Sequence, residues 1–381
     1  MTLPAIPLAL LVALHAYIGL RLLPDLPAAG QPAGMALLAL EFALVHSGLG
    51  HVFGPRPSRG AAAWVGLTAL GFFSSLLVLT LLRDVLLLGA AGASWLGLAA
   101  LRPAPLAGPS AWAVPVLALL ASAAGLFLAR RRPPVRRVEV PLPGLPEALE
   151  GLRIVQISDL HVGPTIRAPF VDKVVTAVNA LQPDLVVVTG DSVDGSVAEL
   201  ASHTAPLGRL QGRLGVYAVT GNHEYYSGGP AWIAEFERLG MRVLMNEHVV
   251  LEHRGARLVL AGVPDYTAHH FVPAHRSDAL RALHDAPADA GVKILLAHQP
   301  RAAAAASAAG YDLQLSGHTH GGQFLPWRWF VPLQQPYVSG LQRHAAMWIY
   351  ISRGTGYWGP PKRLGAPSEI TELRLVRGAA G

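Results

Sequence analysis

Five short polar motifs carry side chains that commonly bind metal ions. Two Asp, one Asn and four of their five His form a set large enough for two ions if one carboxylate bridges both. The motifs are Asp159-Leu160-His161, Gly190-Asp191, Gly221-Asn222-His223-Glu224, Ala297-His298-Gln299 and Gly317-His318-Thr319-His320. Carboxylates combined with neutral imidazoles suit Mn, Fe and Zn, whereas Mg and Ca prefer oxygen ligands alone. The motifs therefore predict a centre of transition-metal ions.

The charge of such a centre indicates the substrate. Two divalent ions carry four positive charges, of which the two Asp residues offset half. The remaining charge favours an anion such as phosphate, and the ions lower the pKa of bound water so that a nucleophile forms near neutral pH. The sequence contains no cysteine, which excludes disulfides, thiolate metal ligands and a cysteine nucleophile.

Each motif follows an apolar run that predicts a β-strand. These strands are expected at 153–158, 184–189, 215–220, 292–296 and 311–316. Helices are expected near 167–181, 196–210, 230–239 and 301–309, short strands within 242–263, and further strands at 346–352 and 369–376. Alternating strands and helices predict a layered α/β domain, in which ligands at strand ends can meet at one rim.

The amino-terminal third has a different composition. Residues 1–129 hold eight charged side chains, which are Arg21, Asp25, Glu41, Arg56, Arg59, Arg83, Asp84 and Arg102. Apolar stretches there predict a transmembrane bundle with four spans, at about 3–22, 34–54, 61–82 and 111–129. The run 85–101 either continues the third helix or forms a short re-entrant piece. The first span lacks a basic leader region, which argues against a signal peptide.

The predicted domains are a transmembrane helical domain at 1–129, a basic Pro-rich linker at 130–150 and the α/β domain at 151–381. The linker begins with Arg130, Arg131 and Arg132, on the side of the membrane where Arg56 and Arg59 would lie. Basic residues favour the cytoplasmic side. We therefore expect a multi-pass inner-membrane protein whose α/β domain faces the cytoplasm, although Arg21 and Arg102 lie near the other face.

Several ionisable residues fall at or near membrane depth. Two interpretations stay open for them: a lipid-headgroup or ion path, or positions near the interface that pair with each other. The residues are Glu41, His46, His51, Arg83 and Asp84.

The ordered set of five motifs resembles the calcineurin-like metallophosphoesterase superfamily over about 151–375. The stretch Gly317–Gln323, together with Arg353-Gly354-Thr355-Gly356, resembles its membrane-attached bacterial phosphohydrolases. The resemblance implies an αββα fold and two divalent transition-metal ions, with Mn favoured over Fe or Zn. It further implies that Asp159, His161 and His320 bind one ion, that Asn222, His298 and His318 bind the other, and that Asp191 bridges them.

The resemblance also implies a catalytic role for His223, as a general acid or as a stabiliser of phosphoryl charge. Asp194 would orient His223, or else it is a turn residue before Gly195. Glu224 is interpreted as a turn or helix-cap carboxylate. Other substrate contacts are suggested at Arg353, in a Gly-rich loop, and at His269, in an insert at 264–275 that could line the substrate mouth.

An apolar cluster of Trp327, Trp329 and Phe330 follows the last motif. Two interpretations stay open for it: contact with a lipid chain or the membrane surface, or packing in the core or at an interface.

The expected function is a membrane-anchored phosphohydrolase in which a metal-bridging hydroxide attacks phosphorus. Tethering to a membrane suggests an amphiphilic, lipid-linked substrate such as UDP-2,3-diacylglucosamine, with membrane lipids as further partners. Two alternatives remain: a general phosphatase or phosphodiesterase on soluble esters, and a transporter or sensor regulated by a phosphoesterase domain. Nucleic acid is not expected as a partner, because no aromatic-rich basic groove accompanies the Arg cluster. The sequence does not indicate an oligomeric state.

Overall fold

The structure is a computed structural model that describes residues 4–53, 60–97 and 102–378. Its contacts divide the chain into two units. A helical unit comprises Met1–Leu128 with Gly359–Leu364, and a sheet unit comprises Ala129–Trp358 with Gly365–Gly381. The predicted boundaries at 129, 150 and 151 stay a proposal.

The helical unit contains four helices that are long and apolar enough to cross a membrane. They are α1 (Ala5–Leu22), α2 (Gln31–Phe53), α3 (Ala61–Trp95) and α4 (Ala104–Arg130). With 35 residues, α3 is about 52 Å long, which exceeds the ~30 Å hydrocarbon core of a bilayer. Because α3 ends at Trp95, the run 85–95 extends the third helix. Part of the stretch proposed as re-entrant, 98–101, lies outside the described residues.

Close packing joins α2 and α3. A Cβ atom on Gly48 would strike the backbone of Gly66, and one on Gly66 would strike Gly48. Small residues allow this backbone-to-backbone approach, a common way for helices to associate in membranes.

Ionisable side chains of the helical unit pair with each other. Arg83 is buried and pairs with Asp25, while Arg21 Nε donates to Asp84 Oδ2 at 2.8 Å. Glu41 pairs with His15. For Glu41, Arg83 and Asp84 these contacts favour the second interpretation, in which polar groups near membrane depth pair with each other. His46 does not fit it, because its Nδ1 is buried without a hydrogen-bond partner. The side chain of His51 lies outside the described part of the structure.

The sheet unit contains two six-stranded sheets in its described residues. The first has the order β1-β12-β2-β3-β4-β5, and the second has the order β10-β11-β9-β8-β7-β6. The strands are β1 (Val135–Pro143), β2 (Arg153–Ile157), β3 (Leu185–Thr189), β4 (Val216–Val219), β5 (Arg242–Val243), β6 (Glu247–His253), β7 (Ala256–Gly262), β8 (Val292–Leu296), β9 (Leu313–Ser316), β10 (Gly340–His344), β11 (Met347–Ile351) and β12 (Ile370–Gly378). The helices are α5 (Ala168–Ala180), α6 (Val197–Thr204), α7 (Asn222–Tyr226), α8 (Gly229–Arg238) and α9 (Ala303–Ala309).

Strand periodicity explains how the sheets pack. On β2, Ile154 joins a buried cluster with Leu260 and Leu296 of the second sheet. Its neighbour Val155 points to the opposite face, into a cluster with Trp232 of α8. Successive side chains of a strand alternate between faces, so the first sheet is covered on both sides. A third cluster covers the other face of the second sheet with Ala-rich α9. These layers are the predicted αββα arrangement, which is confirmed.

Parallel pairing places the polar motifs on one rim. Strands β2, β3 and β4 run parallel in the first sheet, and β7, β8 and β9 run parallel in the second. The side chain of Gln156 on β2 crosses between them and donates to Ser316 O on β9 at 2.9 Å. The carboxyl ends of both parallel groups therefore meet.

One difference concerns the segment predicted as a linker, 130–150, which contains β1. This strand pairs in parallel with β12, from Val135 opposite Ile370 to Pro143 opposite Gly378. Pro141 and Pro143 favoured a linker, yet an edge strand tolerates residues that lack an N–H group. The strand also buries Val140 and Leu142. Its partner lies more than two hundred residues away, so no local pattern could reveal the pairing.

The packing of α8 yields a stability prediction. Trp232 is fully buried, and its Nε1 donates to Gly195 O at 2.9 Å. Replacing a buried Trp by Ala costs about 3–5 kcal/mol, because it removes apolar contacts and leaves a cavity. We expect thermal unfolding of the purified chain carrying Trp232→Ala to occur at a temperature on the order of 10 °C lower. Trp329→Ala is the control, since Trp329 is 70% exposed; equal melting temperatures for both variants would contradict this packing.

Candidate metal centre

The backbone is strained where the predicted ligands lie. Asp159, His161, Asp191, His318 and His320 all have positive φ, between 51° and 71°. Residues other than glycine rarely adopt this left-handed conformation, and it persists only where surrounding structure enforces it. Here hydrogen bonds between adjacent loops do so, since Asp159 N donates to Gly190 O at 3.0 Å and His161 N donates to Asp191 O at 3.1 Å. The strained turns lie directly after the strands.

Two groups of ligand atoms lie on this rim. In the first, His161 Nε2 is 3.0 Å from His320 Nε2, which is 3.5 Å from Asp159 Oδ1. In the second, His298 Nε2 lies 3.2 Å from His318 Nδ1 and 3.0 Å from Asp191 Oδ2. Within each group the ligand atoms lie within 4.8 Å of one another, close enough to hold one ion.

Asp191 lies between the two groups. Its Oδ2 atom is 3.0 Å from His298 Nε2 and 4.0 Å from His161 Nε2. Its Oδ1 atom accepts a hydrogen bond from His223 N at 2.8 Å, which holds the carboxylate in place. This position suits a ligand shared by two ions.

Two buried oxygens test whether the residues fit metal ions. Asp159 Oδ2 and Asn222 Oδ1 are buried, and neither has a hydrogen-bond partner. A buried polar atom without a partner costs free energy, which coordination to a cation would offset. One such oxygen belongs to each predicted triad. The residues present therefore fit metal ions, with Asp159, His161 and His320 in one group and Asp191, His298 and His318 in the other. The predicted place of Asn222 in the second triad, and the bridging role of Asp191, stay predictions.

Charge within the centre is balanced by neighbouring groups. Burial acts to raise the pKa of Asp191, but the charges of His298 and His223 hold it well below its usual range. Burial lowers the pKa of His318 to about 3, and the charge of His298 adds to this. His318 is therefore neutral near pH 7 and has a lone pair available for a metal. The Nδ1 of His298 donates a hydrogen bond to Thr189 O at 2.7 Å, so its Nε2 faces the centre.

Asp194 contacts two histidines. Its Oδ1 accepts from His223 Nδ1 at 2.7 Å and from His161 Nδ1 at 2.9 Å. Burial acts to lower the pKa of His223, but the charges of Asp191 and Asp194 raise it to about 9. The structure thus places Asp194 where the orienting role was predicted, and it adds a contact to the ligand His161 that the sequence did not suggest.

Glu224 connects two loops of the centre. This fully buried carboxylate accepts from Gly221 N at 2.6 Å, as the helix-cap interpretation expects. It also accepts from Asp191 N at 3.0 Å and Ser192 N at 2.6 Å, in the loop after the neighbouring strand. Spacing reveals the local contact, since Glu224 is three residues after Gly221. The other two depend on strand pairing and could not be read from the sequence.

Glycines in the motifs are required by close approach. A Cβ atom on Gly221 would strike Asp191 Oδ1, and one on Gly317 would strike Asp159 Oδ2. A side chain at either position would displace a predicted ligand.

The two suggested substrate contacts have different surroundings. Arg353 forms an ion pair with buried Glu369, its Nη2 lying 2.6 Å from Oε2, and its side chain packs beside Gly321. His269 packs against His270, with ring centroids 4.0 Å apart, and its Nδ1 is buried without a hydrogen-bond partner. Both roles stay predictions.

Two aromatic rings beside His223 were not anticipated. The ring of Tyr226 lies 5.1 Å from that of His223, and the ring of Trp358 lies 5.7 Å from it. The position of Tyr226, three residues after His223 in the short helix α7, was an available signal, because residues three apart are neighbours on a helix. The cluster of Trp327, Trp329 and Phe330 is largely exposed, which excludes a core role for Trp329.

Metal content tests the ligand assignment directly. We expect the purified chain, equilibrated with Mn²⁺ and desalted, to retain about two ions per chain. Asp191→Asn should retain at least one ion fewer, because it removes the charge shared by both groups. Asp312→Asn is the matched control, since Asp312 precedes β9 and its carboxylate accepts from Lys293 N. Elemental analysis by mass spectrometry measures the stoichiometry, and a full complement in Asp191→Asn would contradict the assignment.

Sequence comparisons agree with this geometry. The profile of the calcineurin-like phosphoesterase family matches residues 152–322. A Bos taurus protein named "Transmembrane protein with metallophosphoesterase domain" is 42% identical over 288 residues, which cover 72% of this chain and 63% of that protein. A Danio rerio protein of the same name is 40% identical over 272 residues, covering 68% and 62%.

A shorter relative is covered almost completely. An Aquifex aeolicus protein, named as an uncharacterized metallophosphoesterase, is 35% identical over 243 residues, which cover 63% of this chain and 91% of that protein. The chain thus spans less than two thirds of the two vertebrate relatives but nearly all of this bacterial one. The family profile begins before β2 and ends just after His320, so it includes all five motifs. The chain belongs to the calcineurin-like phosphoesterase family.

Proposed function

We propose that the chain is a membrane-anchored phosphohydrolase that uses two divalent metal ions. The observation that carries this proposal is the position of Asp191 Oδ2, at 3.0 Å from His298 Nε2 and 4.0 Å from His161 Nε2. A carboxylate shared in this way is what a two-ion centre requires. The four long apolar helices support membrane anchoring.

The ions would supply Lewis acidity toward phosphoryl oxygens and a water molecule whose pKa is near neutrality. The protein's own residues hold the ligands in position and exclude alternative geometries. Glu224 joins the loops that carry Asp191 and Asn222. Manganese is the ion we propose, and iron or zinc suits the same mixture of imidazole and carboxylate ligands.

We assign His223 to the leaving group. Its Nδ1 is held by Asp194 at 2.7 Å, so the other ring nitrogen is left to face a substrate oxygen. A proton donated to that oxygen as the bond to phosphorus breaks would lower the barrier for alcohols that are poor leaving groups. Asp194 acts as a positioning residue, because it fixes the orientation of the imidazole.

For the substrate we propose an amphiphilic phosphoester or pyrophosphate, with UDP-2,3-diacylglucosamine as a specific candidate. Membrane anchoring supports this choice, since it raises the local concentration of a lipid. Turnover of soluble esters such as p-nitrophenyl phosphate without turnover of the lipid would favour the alternative of a general phosphatase. Assays of the detergent-purified chain against both classes, with a phosphopeptide included, separate these functions.

Leaving-group dependence tests the role of His223. We expect His223→Gln to lower kcat for an alkyl phosphate by about 10²–10⁴-fold, the usual contribution of a general acid. The loss on p-nitrophenyl phosphate should be much smaller, because p-nitrophenolate leaves without a proton. Steady-state kinetics measure both, with metal content checked in parallel. His284→Gln serves as the control at an exposed histidine, and equal losses on the two esters would refute the assignment.

Orientation is a separate proposal: the sheet unit faces the cytoplasm. Arg130, Arg131 and Arg132 at the end of α4 support it, whereas Arg56 and Arg59 lie outside the described residues. We expect a fluorescent protein fused to the carboxyl terminus to fluoresce and alkaline phosphatase fused there to be inactive. Fusions between α1 and α2, within residues 23–30, should behave in the opposite way. Active alkaline phosphatase at the carboxyl terminus would place the centre outside the cytoplasm.

A further inference from the structure

We infer that Tyr226 and Trp358 form a binding surface for an apolar leaving group, either an aromatic ring or an alkyl chain. The inference rests on the proposed function, because it concerns the part of the substrate that departs beside His223. The ring centroids of Tyr226 and Trp358 lie 5.1 Å and 5.7 Å from that of His223. Both rings meet the imidazole at steep angles, 61° and 73°.

Exposure distinguishes these two rings from their neighbours in the chain. Tyr226 is 60% exposed, whereas Tyr225 is buried. Trp358 is 39% exposed, whereas Tyr357 is buried. Because both side chains are exposed, each leaves part of its ring open to a ligand. Clustered exposed apolar groups commonly mark a binding surface.

Phe271 extends the surface beyond Tyr226. Its ring centroid lies 5.5 Å from that of Tyr226, and its side chain is 49% exposed. The ring contacts therefore run in the order His223, Tyr226 and Phe271. A leaving group longer than one ring could therefore continue along the same surface.

Both rings are attached to elements that carry metal ligands. Trp358 N donates to Gln323 Oε1 at 2.8 Å, and Gln323 Nε2 donates to Trp358 O at 2.8 Å. Gln323 is three residues after the ligand His320, so this double contact ties the Trp358 backbone to the ligand loop. Tyr226 is the last residue of α7, which begins at the ligand Asn222. A surface fixed in this way needs little ordering when a substrate binds.

The position of His223 identifies which part of the substrate meets the rings. A proton donor lies within hydrogen-bond reach of the leaving oxygen, so the carbon group on that oxygen extends from His223 toward its aromatic neighbours. Aromatic faces bind flat rings by stacking and alkyl groups by apolar contact. A polyol such as glycerol gains little from either contact. The surface would thus select esters by the apolar character of the departing alcohol.

Matched esters test this selection on the full-length, metal-loaded chain in detergent. We would compare kcat/KM for benzyl, n-hexyl and glycerol phosphates, each as the monoester and as the methyl diester. In Tyr226→Ala and in Trp358→Ala we expect a loss of about tenfold or more on the apolar esters, in line with the contribution of one stacked ring. In Trp358→Ala, hydrolysis of the glycerol ester should change by less than about threefold, because glycerol does not use the ring. A loss confined to the benzyl ester identifies a flat ring as the ligand, and a loss on both apolar esters identifies general apolar binding.

Conservative and distant variants separate contact from folding. Tyr226→Phe and Trp358→Phe keep an aromatic face and should therefore retain most of the preference for apolar esters. Trp329→Ala alters an exposed Trp without ring contact to His223 and should leave that preference unchanged. Uniform losses on all esters, or no loss on the apolar ones, would overturn the inference.

Binding measurements keep this test independent of turnover. Calorimetry with benzylphosphonate and methylphosphonate should give tighter binding of the benzyl compound to the wild-type chain by about tenfold, and a smaller difference in Tyr226→Ala, where Trp358 remains. Absence of hydrolysis with this preference intact would contradict the proposed function but support the surface. Hydrolysis without any benzyl preference would contradict only the surface.

Discussion

The centre depends on one carboxylate that must lie between ligands from two different sheets. Asp191 follows β3 of the first sheet, and its Oδ2 lies 3.0 Å from His298 Nε2, which follows β8 of the second. This distance exists only while the parallel groups of both sheets end on the same rim. The apolar cluster shared by Ile154, Leu260 and Leu296 keeps the sheets in contact. A buried hydrophobic layer thereby sets the geometry of a polar site at its edge.

Holding such a site together requires strain and unusual burial. Five of the predicted ligands have left-handed backbone conformations, and such conformations cost of the order of 1–3 kcal/mol each. Local contacts offset part of that cost. Glu224 joins two loops through three backbone N–H groups, and Asp194 holds two histidines. Asp159 Oδ2 and Asn222 Oδ1 are buried without hydrogen-bond partners. Bound cations would offset the free-energy cost of burying these two oxygens.

The helical unit follows a different principle. Its ionisable groups contact each other: Arg83 pairs with Asp25 and also donates to Arg21 O, and Arg21 pairs with Asp84. Glu41 pairs with His15. Pairing reduces the cost of ionisable groups near membrane depth. The helices themselves need only length and apolar composition, whereas the sheet unit needs a fixed register. Membrane anchoring and chemistry are thus encoded by different properties of the chain.

The sequence by itself determined the ligand types, the strands that precede them and the four apolar helices. These are local properties, since a strand or helix pattern and the chemistry of a side chain can be read within about twenty residues. The resemblance to known phosphoesterases supplied the division into two triads. Most element boundaries agree to within a few residues because apolar periodicity dominates them. The edge strand β1 was missed because its prolines suggest a linker and its partner β12 is remote.

Only the tertiary structure decided which remote groups meet. The reach of Glu224 to Asp191 and Ser192, the sharing of Asp194 between His161 and His223, and the two rings beside His223 all depend on contacts between separate loops. Trp358 in particular lies far along the chain from His223. Distances between such residues follow from strand order and sheet packing, which are collective properties of the whole unit. The residue types alone were therefore enough to predict metal chemistry. The fold decided how the ligands are held and which side chains lie beside His223.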